Sequence, residues 1–257
     1  MTARAPRGVE GEALSFELPG GGRALFTTRA EGNLSILVGP GADRGEATRG
    51  RLREALGLGA LAHSRQVHGT VVRRVGADGG GGLGDEADGH VTDVRGVGVM
   101  VLTADCLPVA LGAPGAVAML HAGWRGIAGG VLEEGVRALR GMGRTPTGVR
   151  RGSVMSEGSP AGITTSEVSP SGIVAVIGPG AGPCCYEVGE EVHEAFGGRR
   201  REGRRLDLRG IARERLLAAG VSRVEVVQRC TICDERMFSH RRQGPEAGRQ
   251  AGIAWLS

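Results

Sequence analysis

The chain has 257 residues, of which 40% are hydrophobic, 23% are charged and 48 are Gly. Glycine at about a fifth of the chain, without a Gly-X-Y period, excludes collagen, and the hydrophobic fraction excludes a mainly disordered polypeptide. Arg supplies all 32 basic residues against 28 acidic ones, and a net charge of +4 spread along the chain gives no footing for a nucleic-acid partner.

In chain order, Met1–Glu12 carries arginines with no apolar stretch behind them, which does not fit a secretory signal. Short runs with β-branched residues at Ala13–Phe16, Ala24–Thr27, Leu34–Val38 and Thr70–Val75 predict strands, most of them separated by Gly-rich turns. Arg51–Leu56 closes a predicted short helix, and Ala62–His68 and Gly89–Thr92 are expected to be extended. Val97–Thr103 and Ala116–His121 are continuous apolar runs, as in strands buried on both faces, with a Pro- and Gly-containing bend predicted between them. Ile127, Val131, Val136 and Leu139 fit helical spacing within Trp124–Arg140.

The segment Thr145–Gly172 is rich in Gly, Ser, Thr and Pro and holds a near-repeat, Ser156–Ile163 echoed by Ser166–Ile173, so a disordered surface insertion is expected there. Ile173–Ile177 then predicts a buried strand and Val188–Phe196 a helix. Leu208–Ala219 predicts a second helix, stopped by Gly220, and Val224–Val227 a last strand. The uncharged run Val168–Tyr186 is interrupted by Pro170, Pro179 and Pro183, which does not fit a membrane span. The expectation is one α+β domain over residues 1–257, with mixed β-sheets packed against flanking helices, in a soluble cytoplasmic protein whose five Cys stay reduced.

Three patches place metal-ligand residue types at the ends of predicted strands: Arg65–Gly69, Thr103–Cys106 and His121–Gly126. His68, Cys106 and His121 form a His₂Cys set, and three protein ligands leave Zn²⁺ an open fourth position, as in catalytic sites. Spacing alone leaves a second reading open, of hydrogen-bonded histidines and a buried thiol.

These patches, in this order, resemble the YfiH-type laccase-domain family, also called multicopper polyphenol oxidases. The resemblance runs through Gln66–Gly69, Ala87–Asp93, Thr103–Val109, His121–Gly126 and Ile177–Gly189. It continues through Leu206–Leu208, Cys230-Thr231, Phe238–Arg242 and Gly248–Gly252. It implies a single-domain fold of the CNF/YfiH-like cysteine-hydrolase type, with zinc held by His68, Cys106 and His121. The implied activity is phosphorolysis of adenosine, inosine and methylthioadenosine, with adenosine deamination, so purine nucleosides and phosphate become the expected partners. Copper and polyphenol oxidation are the older reading of the family. A chain with six His, two of them already assigned, is poorly equipped for several copper ions. Two departures stand out: Gln243 where the family often has Asp, and the length of Thr145–Gly172.

Within these motifs, Asp105 and Arg125 are the candidate catalytic residues, and Arg65, Gln66 and Arg241 the candidate substrate-binding ones. Guanidinium groups suit phosphate. Asp105 can accept a proton or orient a ligand from behind, and Gln66 shares the parity of His68 on an alternating strand. Cys184, Cys185, Cys230 and Cys233 read as packing thiols, because adjacent cysteines rarely share one ion without strain. Gly178–Pro183 lacks the Lys-Ser/Thr ending of a P-loop. Two alternatives remain: a cysteine hydrolase or amidase acting on peptidoglycan precursors, with Cys106 as nucleophile and His121 as base, and a non-enzymatic zinc or binding protein.

Overall fold

The computed structural model describes residues 2–3, 13–80, 82, 84–142 and 172–257, so the insertion expected at 145–172 lies outside the described residues apart from Gly172. The first strands are β1 (Thr2–Ala3), β2 (Leu14–Leu18) and β3 (Gly22–Phe26), followed by helix α1 (Gly45–Ala55) and strands β4 (Ala60–Ala62), β5 (Val72–Arg74) and β6 (Gly89–Thr92). The centre of the chain supplies β7 (Val97–Thr103), β8 (Leu107–Ala113), β9 (Ala116–Ala122), α2 (Trp124–Gly129) and α3 (Val131–Met142). Then come β10 (Val174–Ile177), α4 (Glu190–Ala195), β11 (Arg201–Glu202), β12 (Arg205–Leu206), α5 (Leu208–Ala218), β13 (Arg223–Val226), α6 (His240–Gln243) and β14 (Gln250–Leu256).

Two six-stranded mixed sheets result, in the orders β1-β2-β3-β14-β7-β4 and β13-β10-β8-β9-β6-β5, and β11 and β12 form a small ribbon. Side-chain alternation assigns each strand to two cores. Val97, Val99 and Val101 of β7 and Ala254 and Leu256 of β14 meet Ala110, Val117, Met119 and Val176 of the second sheet in one buried cluster. The opposite face of the first sheet, through Met100, Ile253 and Trp255, packs on Leu52 of α1. The opposite face of the second sheet, through Leu107, Val109, Leu111 and Leu120, packs on Val136 and Leu139 of α3 and Ala212 and Leu216 of α5. The architecture is therefore α/β/β/α in layers, the expected α+β class. Among the described residues no helix is long and apolar enough to cross a membrane.

Five sequence expectations are corrected. Ala62–His68 is not one extended segment, and Gln66 and His68 share no strand: β4 ends at Ala62, and His68, with a φ of 60°, lies in a loop whose N–H groups at 67–69 donate to Asp88. Leu34–Val38 is not a strand, because the Asn33 amide donates to Val38 O (2.8 Å) and Pro40 O (3.2 Å), and the Ser35 hydroxyl accepts from the N–H groups of Leu37 and Val38. Local side-chain bonds thus take the backbone groups that a ladder would need. The bend predicted between β7 and β9 contains a whole strand, β8. Its Pro108 is tolerated because it lies at the end of the pairing with β10, where its carbonyl still accepts from Gly178 N (2.8 Å) and the missing N–H forfeits only the one reciprocal bond at that end. The single helix expected over 124–140 is two, divided at Gly130, whose φ of 104° only glycine adopts readily. Strand β14, read as no element in the sequence, lies between β3 and β7.

The two sheets approach closely because small residues face the interlayer. A Cβ at Gly252 would stand 2.7 Å from Pro108 Cβ and 2.9 Å from Met119 Sδ. Gly252→Val should cost about 1–3 kcal/mol of stability through overpacking, read as a lower denaturation midpoint in urea with an unchanged slope.

Candidate functional site

The link from β7 to β8, Ala104–Cys106, steps from the first sheet to the second, and it puts Cys106 at the mouth between them. Asp105 in that link has a φ of 91°, a conformation costly for a side chain with a Cβ. Three bonds hold it: Asp105 O accepts from Ala181 N (2.8 Å), Oδ1 from the Thr231 hydroxyl (2.7 Å) and Oδ2 from Arg241 N (2.7 Å). His121 comes from β9, which pairs with β8 in the register Pro108↔His121. His68 comes from the loop after β4 and is the other residue of the site with positive φ, at 60°.

The ligand atoms of His68, Cys106 and His121 lie within 4.8 Å of one another. Cys106 Sγ is 3.8 Å from His68 Nε2, and the two imidazole rings meet edge to face with centroids 4.8 Å apart. An ion with bonds of about 2.0–2.3 Å needs ligand edges of about 3.3–3.8 Å, so the constellation could hold one metal with little movement. Gly123 keeps the space clear, since a Cβ there would sit 2.9 Å from His68 Cδ2 and 3.1 Å from Cys106 Sγ.

Behind the ligands stands Asp88, 0% exposed. Its Oδ1 accepts from His121 Nδ1 (2.7 Å) and His68 N (2.9 Å), and its Oδ2 from Gly69 N (2.7 Å) and Val67 N (3.1 Å). Burial works to raise the Asp88 carboxyl, but the His121 bond and the backbone N–H groups outweigh it and hold the carboxyl below its usual range. With Nδ1 committed to Asp88, the Nε2 of His121 faces Cys106 and is free to ligate. Burial opposes charge on both members of that pair. Each nevertheless favours the other's charged form, so the Cys106 thiol falls to about 6 and the His121 imidazolium rises to about 9. Without a metal this is a thiolate–imidazolium pair; an ion entering the site would displace the Nε2 proton of His121 and meet a soft thiolate with a directed imidazole, the donor set that suits Zn²⁺ and other thiophilic ions.

The three ligands line a cavity of about 480 Å³, within the range of small-molecule sites. Of the candidates named from sequence, Arg65, Gln66, Asp105 and Arg241 also line it, and Arg125 does not. Arg125 is exposed and stacks on Trp124, its guanidinium carbon 4.3 Å from the ring centroid. Gln66 spends both ends of its amide on the backbone of Leu102, donating to O (2.8 Å) and accepting from N (2.7 Å). It ties the ligand loop to β7. Arg65 pairs with Glu86, and Arg241 donates to Glu187 O (2.7 Å) with its guanidinium over the Tyr186 ring.

The sequence reading missed Asp88, Arg49, Tyr186 and Arg249. Asp88 stood inside the Ala87–Asp93 motif, and an acidic residue next to a Gly-His pair was the available signal. Arg49 is buried, donates through Nε to Leu34 O (2.8 Å) and lies 2.7 Å from His63 Nε2. Burial, then the Arg49 charge, pushes His63 below its ordinary value, which keeps that imidazole neutral and accepting. Burial pushes the Tyr186 phenol up to about 12, so its proton stays in place. Arg249 is half-buried, with Cys106 and Asp105 the anionic groups acting on it.

A mixed two-sheet fold with a His₂Cys constellation between the sheets defines the class. A family model described as multi-copper polyphenol oxidoreductase laccase matches residues 22–152 and 150–257. The chain belongs to this family, the YfiH-like laccase-domain proteins, and several curated relatives carry the name purine nucleoside phosphorylase. A Xylella fastidiosa purine nucleoside phosphorylase is 37% identical, over 98% of this chain and 94% of its own length. The crystal structure of a Neisseria meningitidis protein superposes with a TM-score of 0.77 at 31% identity, covering 96% of this chain and 100% of that one. YlmD from Geobacillus stearothermophilus gives 0.76 at 30% identity, covering 99% and 98%.

Replacing Asp88 by Asn should turn an amide N–H₂ toward N–H donors and release the His121 tautomer. Asp88→Asn is expected to weaken metal binding at this site roughly 10- to 100-fold, measured by chelator competition, and to cost about 1–3 kcal/mol of stability.

Proposed function

We propose that the cavity is the active site of a zinc-dependent purine nucleoside enzyme, which cleaves adenosine, inosine and methylthioadenosine with phosphate and deaminates adenosine. One observation carries this reading: three convergent metal ligands share a single cavity with Arg241 and Arg249. The names of the curated relatives support the substrate class. His68, Cys106 and His121 would hold the ion, and zinc, when bound, supplies Lewis-acid polarisation and activation of water. Zinc is preferred over several copper ions because, among the described residues, His68, Cys106 and His121 form the only histidine-containing ligand cluster, and His63 and His240, which also line the cavity, join no such cluster. His63 contacts Arg49, His90 bonds the Ser64 hydroxyl, and His193 sits in α4.

In phosphorolysis a phosphate oxygen forms a bond to the ribose C1′ while the C1′–N9 bond breaks, its electron pair leaving with the base, which takes up a proton. Arg249 and Arg241 are the groups placed to bind the phosphate, since guanidinium forks match its oxygens. Ile36, Leu102 and Tyr186 line the same cavity and would give a purine its apolar contacts. Asp105 is a positioning residue here, because both carboxylate oxygens are spent on Thr231 and Arg241. Gln66 positions the ligand loop in the same way. Arg125, expected from sequence to act in catalysis, has no role in this reading.

A second reading has an observation of its own. Cys106, His121 and Asp88 stand in the order nucleophile, base and orienting carboxylate, as a cysteine hydrolase requires. Alkylation separates the two readings: zinc should protect Cys106 from iodoacetamide, whereas a free nucleophilic thiolate reacts whether or not zinc is supplied.

The test is product analysis with zinc-replete protein and adenosine. Adenine should form only when phosphate is present, and inosine with or without it. His68→Ala should abolish both products. Arg249→Ala should lower phosphorolysis roughly 10- to 100-fold, the worth of one charged hydrogen bond, and leave deamination nearly intact. Absence of both products from zinc-replete protein would overturn the nucleoside reading.

A further inference from the structure

A second cluster of metal-ligating residues lies outside the cavity. The Sγ atoms of Cys184, Cys185, Cys230 and Cys233 lie within 4.8 Å of one another, with Cys184 and Cys233 3.5 Å apart and Cys185 and Cys233 2.9 Å apart. Packing, the reading taken from sequence, does not account for them. Cys184 and Cys233 are exposed and the other two half-buried, and none belongs to a hydrophobic core. We propose that these four cysteines hold a Zn²⁺ ion of their own, a structural one, which clasps the two loops that build one wall of the cavity.

Four thiolates about 2.3 Å from one ion stand about 3.8 Å apart, and the observed spread needs only small side-chain rotations to reach that. The backbone is already arranged for a thiolate at Cys230. Cys230–Cys233 forms a turn in which Asp234 N donates to Cys230 O (2.9 Å). The N–H of Gly182 approaches Cys230 Sγ at 3.2 Å, and those of Ile232 and Cys233 are directed at the same sulfur. Three N–H groups on one sulfur favour its anion. On the other loop, Cys185 N and Tyr186 N both donate to Gly182 O (3.0 Å each), a tight turn that lets two adjacent cysteines aim at one point. That turn answers the strain objection to adjacent ligands. A side chain at Gly182 would crowd the cluster, since a Cβ would lie 3.0 Å from Cys230 Cβ and 3.3 Å from both Cys184 Sγ and Cys230 Sγ.

Charge fits as well. A zinc ion with four thiolates carries two net negative charges. Arg209, only 5% exposed, donates to the carbonyls of Gly180 and Arg229, one on each loop, and faces Cys230 and Cys184 as its leading anionic neighbours. The same two loops carry Ala181 and Thr231, which hold Asp105, and Tyr186, which lines the cavity. The ion would therefore fix the wall without touching substrate.

Metal analysis in the Cys106→Ala background isolates this site from the one in the cavity. Wild-type protein should carry about two zinc ions per chain, Cys106→Ala about one, and Cys106→Ala with Cys233→Ser close to none. X-ray absorption at the zinc edge of the Cys106→Ala protein should show a sulfur-only shell at about 2.3 Å. If Cys233→Ser does not fold by circular dichroism, Cys184→Ser replaces it, and the absorption spectrum decides without any cluster variant. Zinc-free Cys106→Ala protein, nitrogen in its shell, or a Cys185–Cys233 disulfide in the purified protein's intact mass would each overturn the proposal. The result is independent of the nucleoside reading, because failure of the cavity site removes zinc from the wild type and leaves the Cys106→Ala protein with its single ion.

Discussion

The Asp88 carboxylate is the interaction on which the site depends. A buried charge is expensive, and here four donors on two oxygens offset the cost. Those donors belong to the loop 67–69 and to the far end of β9, so one side chain fixes the position of His68, the tautomer of His121 and the curl of the chain between them. The left-handed backbone of His68 persists because Asp88 grips the N–H on either side of it as well as its own. Remove the charge and the loop has no reason to keep that shape.

Asp105 does comparable work from the opposite side. The chain must leave one sheet at Thr103 and enter the other at Leu107 within three residues, and the middle one takes the strain. Its carboxylate then reaches two segments far along the chain, around Thr231 and Arg241. The cavity wall is in this way assembled from pieces with no sequence proximity, each attached to the β7–β8 link by a hydrogen bond.

Much of this was legible in the sequence. Strong apolar runs such as Val97–Thr103 and Ala116–His121 are strands in the structure, and the three ligand residues converge, although His68 reaches the site from a loop beyond β4 and not from a strand end. What was not legible depended on partners. Leu34–Val38 has strand composition, but Asn33 and Ser35 capture its backbone. Pro108 reads as a breaker until its place at the edge of the β10 pairing is known. Arg125 reads as a phosphate-binding residue in its motif, and the start of α2 sets its guanidinium over Trp124. The Cys184–Cys185 pair looked too cramped to share an ion because a turn centred on Gly182 cannot be seen in composition.

The position of β14 bears on how the chain reaches this state. It separates β3 from β7, both of which are made long before it, and neither can close the first sheet by pairing with the other. During synthesis each therefore waits with an open edge and a half-covered apolar face, the condition in which strands pair with the wrong neighbour. Assembly of the inner layer is a late, long-range event, slow by topology and exposed to aggregation. A cell making this protein would need to shield β3 and β7 on the ribosome until residues 250–256 have emerged.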